Sequence, residues 1–246
     1  MTVTISVMAP LMPDGSAYCR DAWNEEVQRT SSGTQKQRYI ALQPIFDLQW
    51  QVFGYEALCR DTNCNHFTSD SRTATQGIIK DWLLDGLDRF TGEKPVFLNF
   101  TREDLLEFPN LLPVSTVLEV LETVQVDDGV EDACRRIKNS GHRIALDDFQ
   151  LRGNNHKLIA LADYIKVDFQ LDGKEQRREL LASLKNQPAR LIAEKIETRE
   201  EFEAALEEGF DLFQGYYLAR PILLSRGGMH SFWLNHLRMR RPFRLR

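Results

Sequence analysis

Short apolar runs recur along this chain at a nearly even spacing, and each stops on a polar residue. They occupy 95–98, 116–121, 143–146, 164–167, 190–193 and 211–213. Runs this short and this apolar suit strands buried on both faces. Most of the stretches between them have helical periodicity. Val130, Ala133, Cys134 and Ile137 share one face, with Gly141 as the stop. Phe202, Ala205, Leu206 and Gly209 form another, opened by a capping box in which Thr198 and Glu201 satisfy free amide donors reciprocally. Strand, helix, strand in this order means parallel βαβ units. A chain of 246 residues holds about seven or eight of them, which favours a closed (β/α) barrel of the α/β class over an open doubly wound sheet. No GxGxxG follows a strand, which weighs against a dinucleotide fold.

The flanks differ from this pattern. Residues 1–37 are rich in Ser, Thr, Gln, Asn and Gly without sustained periodicity and read as an irregular leader. A single domain is expected over 38–224, and 225–246 as a basic C-terminal tail. Within 39–60, YIALQPIFDL and VFGYEALCR read as two strands joined by QWQ, a hairpin-sized connection lacking Asn-Gly chemistry. A polar loop, 61–74, leads to a helix marked by Ile79, Trp82, Leu83, Gly86 and Phe90.

Charge and composition exclude several classes. The net charge is −5, but no acidic residue follows Asp211, and the seven arginines beyond it leave −12 on the rest. That makes a poor binder of generic polyanions, so no DNA or RNA polymer is expected as a partner. The tail RMRRPFRLR reads as a solvated end or a contact for an acidic partner. No run is long and apolar enough to span a membrane, and no basic region precedes the apolar patch at the N-terminus. A cytoplasmic protein is expected. Cys19, Cys59, Cys64 and Cys134 form no CxxC pair, which suits reduced thiols.

The residues that end the runs carry the chemistry. They are Asn99, Glu119 with Glu122, Asp147 with Asp148, Lys166 with Asp168, Glu194 with Glu197, and Gln214; the second strand adds Glu56 and Arg60. One polar residue at a strand end is usually a helix cap. Repeated, such residues converge, because the C-terminal ends of parallel barrel strands share one mouth. Glu56, Glu119, Asp147, Asp148 and Glu194 would gather five carboxylates there. Two like charges about 4 Å apart repel by ~4 kcal/mol at an effective dielectric of about 20. Several such pairs coexist only if carboxylates are protonated or cations enter; Lys166 supplies one positive charge, and divalent cations are the economical solution. All-oxygen ligands select Mg²⁺ or Mn²⁺, and adjacent aspartates suit a two-metal site. Such a pair is a template for in-line attack on a phosphodiester. A Schiff-base role for Lys166 is disfavoured, since surrounding carboxylates raise its pKa.

In order and spacing, YEALCR, VFLNF, VLEVLET, IALDDF, YIKVDF, LIAEKIET and FQGYYLARP resemble the motifs of EAL domains. These are bacterial TIM-like barrels that hydrolyse the second messenger cyclic di-GMP to linear pGpG. The resemblance spans roughly 39–222. It implies that Glu56, Asn99, Glu119, Asp147, Asp148 and Glu194 are metal ligands, that Lys166 is the catalytic lysine and that Glu194 is also the acid/base. Gln214 matches the family's water- or substrate-orienting amide. Gln43, Pro44, Leu58 and Arg60 match positions that line or contact the dinucleotide, and Glu122 matches the anchor of a loop that couples metal binding to dimer formation.

Departures from the family pattern are as informative. The Gly/Ser loop after the paired aspartates is replaced by QLRGNNHKL, and Asp148 to Lys166 is shortened. Leu121 stands where the family has threonine, and Lys195 where it has glycine. These changes are similar to the EAL branch commonly joined to a C-terminal HDOD domain, although only about 25 residues follow the ARP motif here. They imply a phosphodiesterase of low activity or, alternatively, a degenerate cyclic-di-GMP receptor or interaction scaffold. Segment 150–156 is expected as an irregular loop. The expected associations are a regulatory protein partner or a homodimer, and with the Gly/Ser loop gone the chain is expected as a monomer or as a dimer through another surface.

Overall fold

The computed structural model describes residues 38–61, 91–108, 112–150, 154–170 and 173–224. The leader, the helix expected around Ile79–Phe90 and the basic tail lie outside them. The chain order is β1 (Arg38–Asp47), β2 (Val52–Asp61), β3 (Val96–Phe100), α1 (Arg102–Leu106), β4 (Thr116–Val120), α2 (Asp128–Asn139) and β5 (Arg143–Leu146). It continues through a 3-10 helix (Asn154–Leu161), β6 (Tyr164–Asp168), α3 (Lys174–Leu184), β7 (Arg190–Glu194), α4 (Arg199–Glu208), β8 (Leu212–Phe213) and β9 (Ile222–Leu224). Strands β2 to β8 run parallel in sequence order. β1 closes the ring antiparallel to both β2 and β8, and β9 pairs with the start of β1. The result is an eight-stranded barrel, TIM-like but for its one reversed strand.

The β1–β2 hairpin turns without Asn-Gly because Asp47 does the work. Its carboxylate accepts from the amides of Gln49 and Gln51, while Trp50 takes the left-handed backbone at φ +60°. Two apolar layers then form. Ile45, Phe97, Val117, Ala145, Tyr164, Ile192 and Leu212 fill the barrel interior. Their strand neighbours face outward, packing Leu118, Ile144 and Val167 with helix residues such as Val130, Cys134 and Phe202.

Helix α2 buries Val130, Ala133, Cys134 and Ile137 as its spacing requires. The Thr198–Glu201 capping box opens α4, but one residue of the expected face is displaced. Phe202 packs on Trp50 and Phe213, and Ala205 is buried, while Leu206 lies at the rim of the stripe, 39% exposed. Arg177 ties α3 and α4 to the exit of β6. It pairs through two nitrogens with the Glu208 carboxylate and stacks 3.7 Å over the Phe169 ring.

The expectation of an irregular loop over 150–156 is corrected at its C-terminal end. Residues 151–153 lie outside the described set, but a 3-10 helix begins at Asn154. Leu158 is fully buried and His156 meets Phe149 edge-on, so apolar contacts hold these turns against the barrel.

Candidate functional site

Side chains alternate along a strand, so the residue two positions beyond each interior apolar residue also points inward, nearer the C-terminal end. Applied to the interior layer, this selects Asn99 after Phe97, Glu119 after Val117 and Asp147 after Ala145. On the next three strands it selects Lys166 after Tyr164, Glu194 after Ile192 and Gln214 after Leu212. The polar residues of the mouth are thus the next tier above the apolar plug. The antiparallel β1 contributes from its beginning. Gln43, two residues before Ile45, lies directly opposite Glu56. Register pairs Asn99 with Glu119 and Asp168 with Glu194 across neighbouring strands.

Lys166 is the centre of this tier. Only 1% of its side chain is exposed, and Nζ lies 2.8 Å from Glu119 Oε1, Asp147 Oδ1 and Glu194 Oε1. Glu56 Oε2 is 3.7 Å away. Nζ donates to Asp147 Oδ1. The contact with Glu119 is an ion contact without hydrogen-bond alignment. Burial works to lower the Lys166 pKa, but Asp147, Glu119, Glu194 and Glu56 outweigh it and hold the group well above the ordinary lysine range. These partners favour the ammonium, which weighs against a Schiff-base role.

The carboxylates respond in the opposite sense. Burial pushes Glu194 up to about 8, with Lys166 opposing the shift and Asp147 and Glu56 adding to it. Glu119, with no exposed surface, is raised well above the carboxylate range, first by burial and then by its acidic neighbours, against the pull of Lys166. Gln214 Nε2 donates to Glu56 Oε2 at 2.6 Å and fixes that carboxylate on the β2 side. The backbone beyond Gln214 is held by Gly215, where an added Cβ would lie 2.1 Å from the Ile196 carbonyl oxygen.

Two residues break the alternation. Asp148 and Lys195 directly follow the inward-facing Asp147 and Glu194, so simple alternation would turn them outward. Both instead have left-handed backbones, φ +40° and +56°. Lys195 Nζ lies 3.1 and 3.2 Å from the two Asp148 oxygens and 2.5 Å from Asp168 Oδ2. Burial works against the Lys195 charge, but these partners outweigh it and raise its pKa. Asp148 is itself raised by burial and by Asp147, against the pull of Lys195. The sequence places Lys195 beside Glu194; the structure gives its ammonium to Asp148 and Asp168. Asp168 was recognisable as a strand-end acid but had no assigned role. Its engagement with Lys195 depends on the β6–β7 register.

The donor set fits a hard divalent cation. One ligand oxygen from each of Asp147, Asp148 and Glu194 can be chosen so that all three lie within 4.8 Å of one another. Glu119 Oε2 is buried without a hydrogen-bond partner, a costly state that a cation would relieve. Oxygen ligands of this kind suit Mg²⁺, Mn²⁺ or Ca²⁺.

The remaining candidates are distributed as follows. Gln43 is buried on the inner face. Pro44, one residue on, is turned to the outer face opposite Tyr55, so of that pair Gln43 is directed to the mouth. Leu58 is half-buried, two residues beyond Glu56 on the same face, and Arg60 is placed by register opposite Tyr39. Glu122 is exposed beyond the end of β4.

Comparisons with known proteins agree with this fold. The EAL domain family model matches residues 24–221. The chain is 33% identical over 198 residues to the uncharacterized protein YuxH of Bacillus subtilis (strain 168), covering 76% of this chain and 48% of that protein. It is 31% identical over 195 residues to the cyclic di-GMP phosphodiesterase CdgJ of Vibrio cholerae, covering 76% and 45%. It therefore spans about half the length of these curated relatives. Among solved structures, the Klebsiella pneumoniae BlrP1 complex with calcium and cyclic di-GMP shares the fold at TM-score 0.63 and 23% identity, over 76% of this chain and 56% of that one. The Bacillus subtilis YkuI protein, with an EAL domain and solved with cyclic di-GMP and calcium, shares it at TM-score 0.59 and 22% identity, over 78% and 55%. With the family model covering four-fifths of the sequence and the motif residues assembled in one mouth, the chain belongs to the EAL domain family.

Proposed function

We propose that this chain is a divalent-metal-dependent phosphodiesterase that opens cyclic di-GMP to linear pGpG, with low turnover. The observation that carries the reading is the tier of Glu56, Asn99, Glu119, Asp147, Glu194 and Gln214 around the buried Lys166, directly above the apolar plug. Support for the substrate comes from the similarity to CdgJ.

Glu56, Asn99, Glu119, Asp147, Asp148 and Glu194 would hold Mg²⁺ or Mn²⁺, as a pair in the full site. The bound ions supply Lewis-acid polarisation of the phosphoryl oxygens and lower the pKa of the attacking water. The protein's own groups do the rest. Lys166 offsets charge on the phosphoryl group and keeps the surrounding carboxylates in place. Glu194 takes or returns the proton exchanged with water and leaving oxygen. Gln214 orients Glu56 and the reacting water. Gln43, Leu58 and Arg60 contact the nucleotide at the rim, and the apolar plug closes the barrel below.

Low turnover is expected because Lys195 engages Asp148 and because the segment after it has lost the Gly/Ser loop. The same two features favour the second reading, a catalytically silent receptor for cyclic di-GMP. Incubation with cyclic di-GMP and Mg²⁺ or Mn²⁺, with products separated chromatographically, decides between them. Slow metal-dependent formation of pGpG is expected. Tight binding with no product under any metal would give the case to the receptor.

A further inference from the structure

We propose that Lys195 is a built-in counter-ion for the Asp148 arm of the mouth, competing directly with the divalent ion that binds through Asp148. This rests on the metal-dependent reading above and adds a regulator of metal occupancy inside the chain.

Three observations carry it. First, the Lys195 ammonium faces both oxygens of Asp148, at 3.1 and 3.2 Å, covering the edge a cation would use. Asp148 is also one of the three acids grouped closely enough to share an ion. The carboxylate cannot turn that edge to an ion while Lys195 stays. Second, Trp50, Asp148 and Lys195 are the non-glycine residues with positive φ among the described residues, and the last two are partners in this ion pair. A lysine in the left-handed region is uncommon, because its Cβ crowds the following carbonyl. The fold tolerates that strain where it brings the two charges together. Third, the backbone of Lys195 is held firmly while its side chain is half exposed. Gln170 Nε2 donates to the Lys195 carbonyl, and the Gln170 amide donates to Asp168 Oδ1, so backbone and anchor are clipped together. The Lys195 side chain is nevertheless 49% exposed, unlike Lys166, so it can swing into solvent when an ion takes Asp148.

A lysine serving only to brace β6 against β7 would leave metal uptake unchanged. A competing cation sets both the number of ions held and the affinity for the weakest. The test titrates Mn²⁺ into the metal-free full chain and counts free ion by electron paramagnetic resonance, with thermal melts confirming folding. Wild type is compared with Lys195→Asn, which tolerates the left-handed backbone without the charge, with Lys195→Gly and with Lys195→Arg. Asn and Gly are expected to take up one more ion than wild type, or to bind the weakest ion about tenfold or more tightly. Arg should behave as wild type. Equal stoichiometry and affinity in all four proteins would overturn the proposal while leaving metal dependence intact. No Mn²⁺ binding by any of them would overturn both.

Discussion

At the scale of single residues, Lys166 has two separable duties. It counters charge on the phosphoryl group, and it keeps four carboxylates from repelling one another. Replacing it with alanine should therefore lower turnover by about 10²-fold or more, as loss of a preorganised charge does. Metal binding should survive, since an ammonium is never a ligand. Calorimetric titration with Mn²⁺ alongside product analysis checks this; loss of metal binding together with activity would contradict it. Gly215 is a purely steric case. With a Cβ 2.1 Å from the Ile196 oxygen, Gly215→Ala should destabilise the fold by more than ~1 kcal/mol, measured by denaturant unfolding. Cys134 is the third. Burial lifts its thiol from the ordinary 9.0 to about 11. The folded form therefore keeps the neutral thiol, and its stabilising contribution is present below pH 9 and lost as pH rises from 9 towards 11. Iodoacetamide at pH 9 should modify the Cys134 peptide only after unfolding, as read by mass spectrometry. Rapid labelling of the native chain would refute the burial.

Whole elements show what was legible in the sequence. The six apolar runs became β3 to β8 nearly as bounded, because parallel strands buried on both faces leave uninterrupted apolar stretches. The Thr198 cap was legible for an equally local reason: its hydroxyl accepts from the Glu201 amide, and the Glu201 carboxylate returns the bond. Thr198→Ala should cost ~1 kcal/mol and lower the melting temperature by about 2–4 °C. What escaped the sequence depends on register or on tertiary contacts. The rim position of Leu206 depends on how Phe202 packs. The pairing of Lys195 with Asp148 and Asp168 needs two left-handed residues just beyond the ends of different strands, and nothing in the spacing announces it. The resemblance groups Pro44 with Gln43, whereas strand alternation turns them to opposite faces.

On the scale of the molecule, one barrel carries one polar tier on an apolar floor, and the tier is functional only if its members act together. The mouth residues could be named from the sequence because each interrupts or ends an apolar run; that the run's last inward-facing apolar residue is the floor required coordinates. The chain is expected to be a monomer, or a dimer through a surface other than the segment after Asp148. Light scattering that showed a tight dimer abolished by changes in Arg152–His156 would contradict this.

The central claim is that the tier holds metal for phosphodiester cleavage, and it is tested most directly by product-resolved hydrolysis of cyclic di-GMP. Wild type and Asp147→Ala would be compared in Mn²⁺ and in excess EDTA. Slow formation of pGpG by wild type in Mn²⁺, and none in EDTA or from Asp147→Ala, is the predicted result. Undiminished hydrolysis by Asp147→Ala, or by wild type in EDTA, would contradict it.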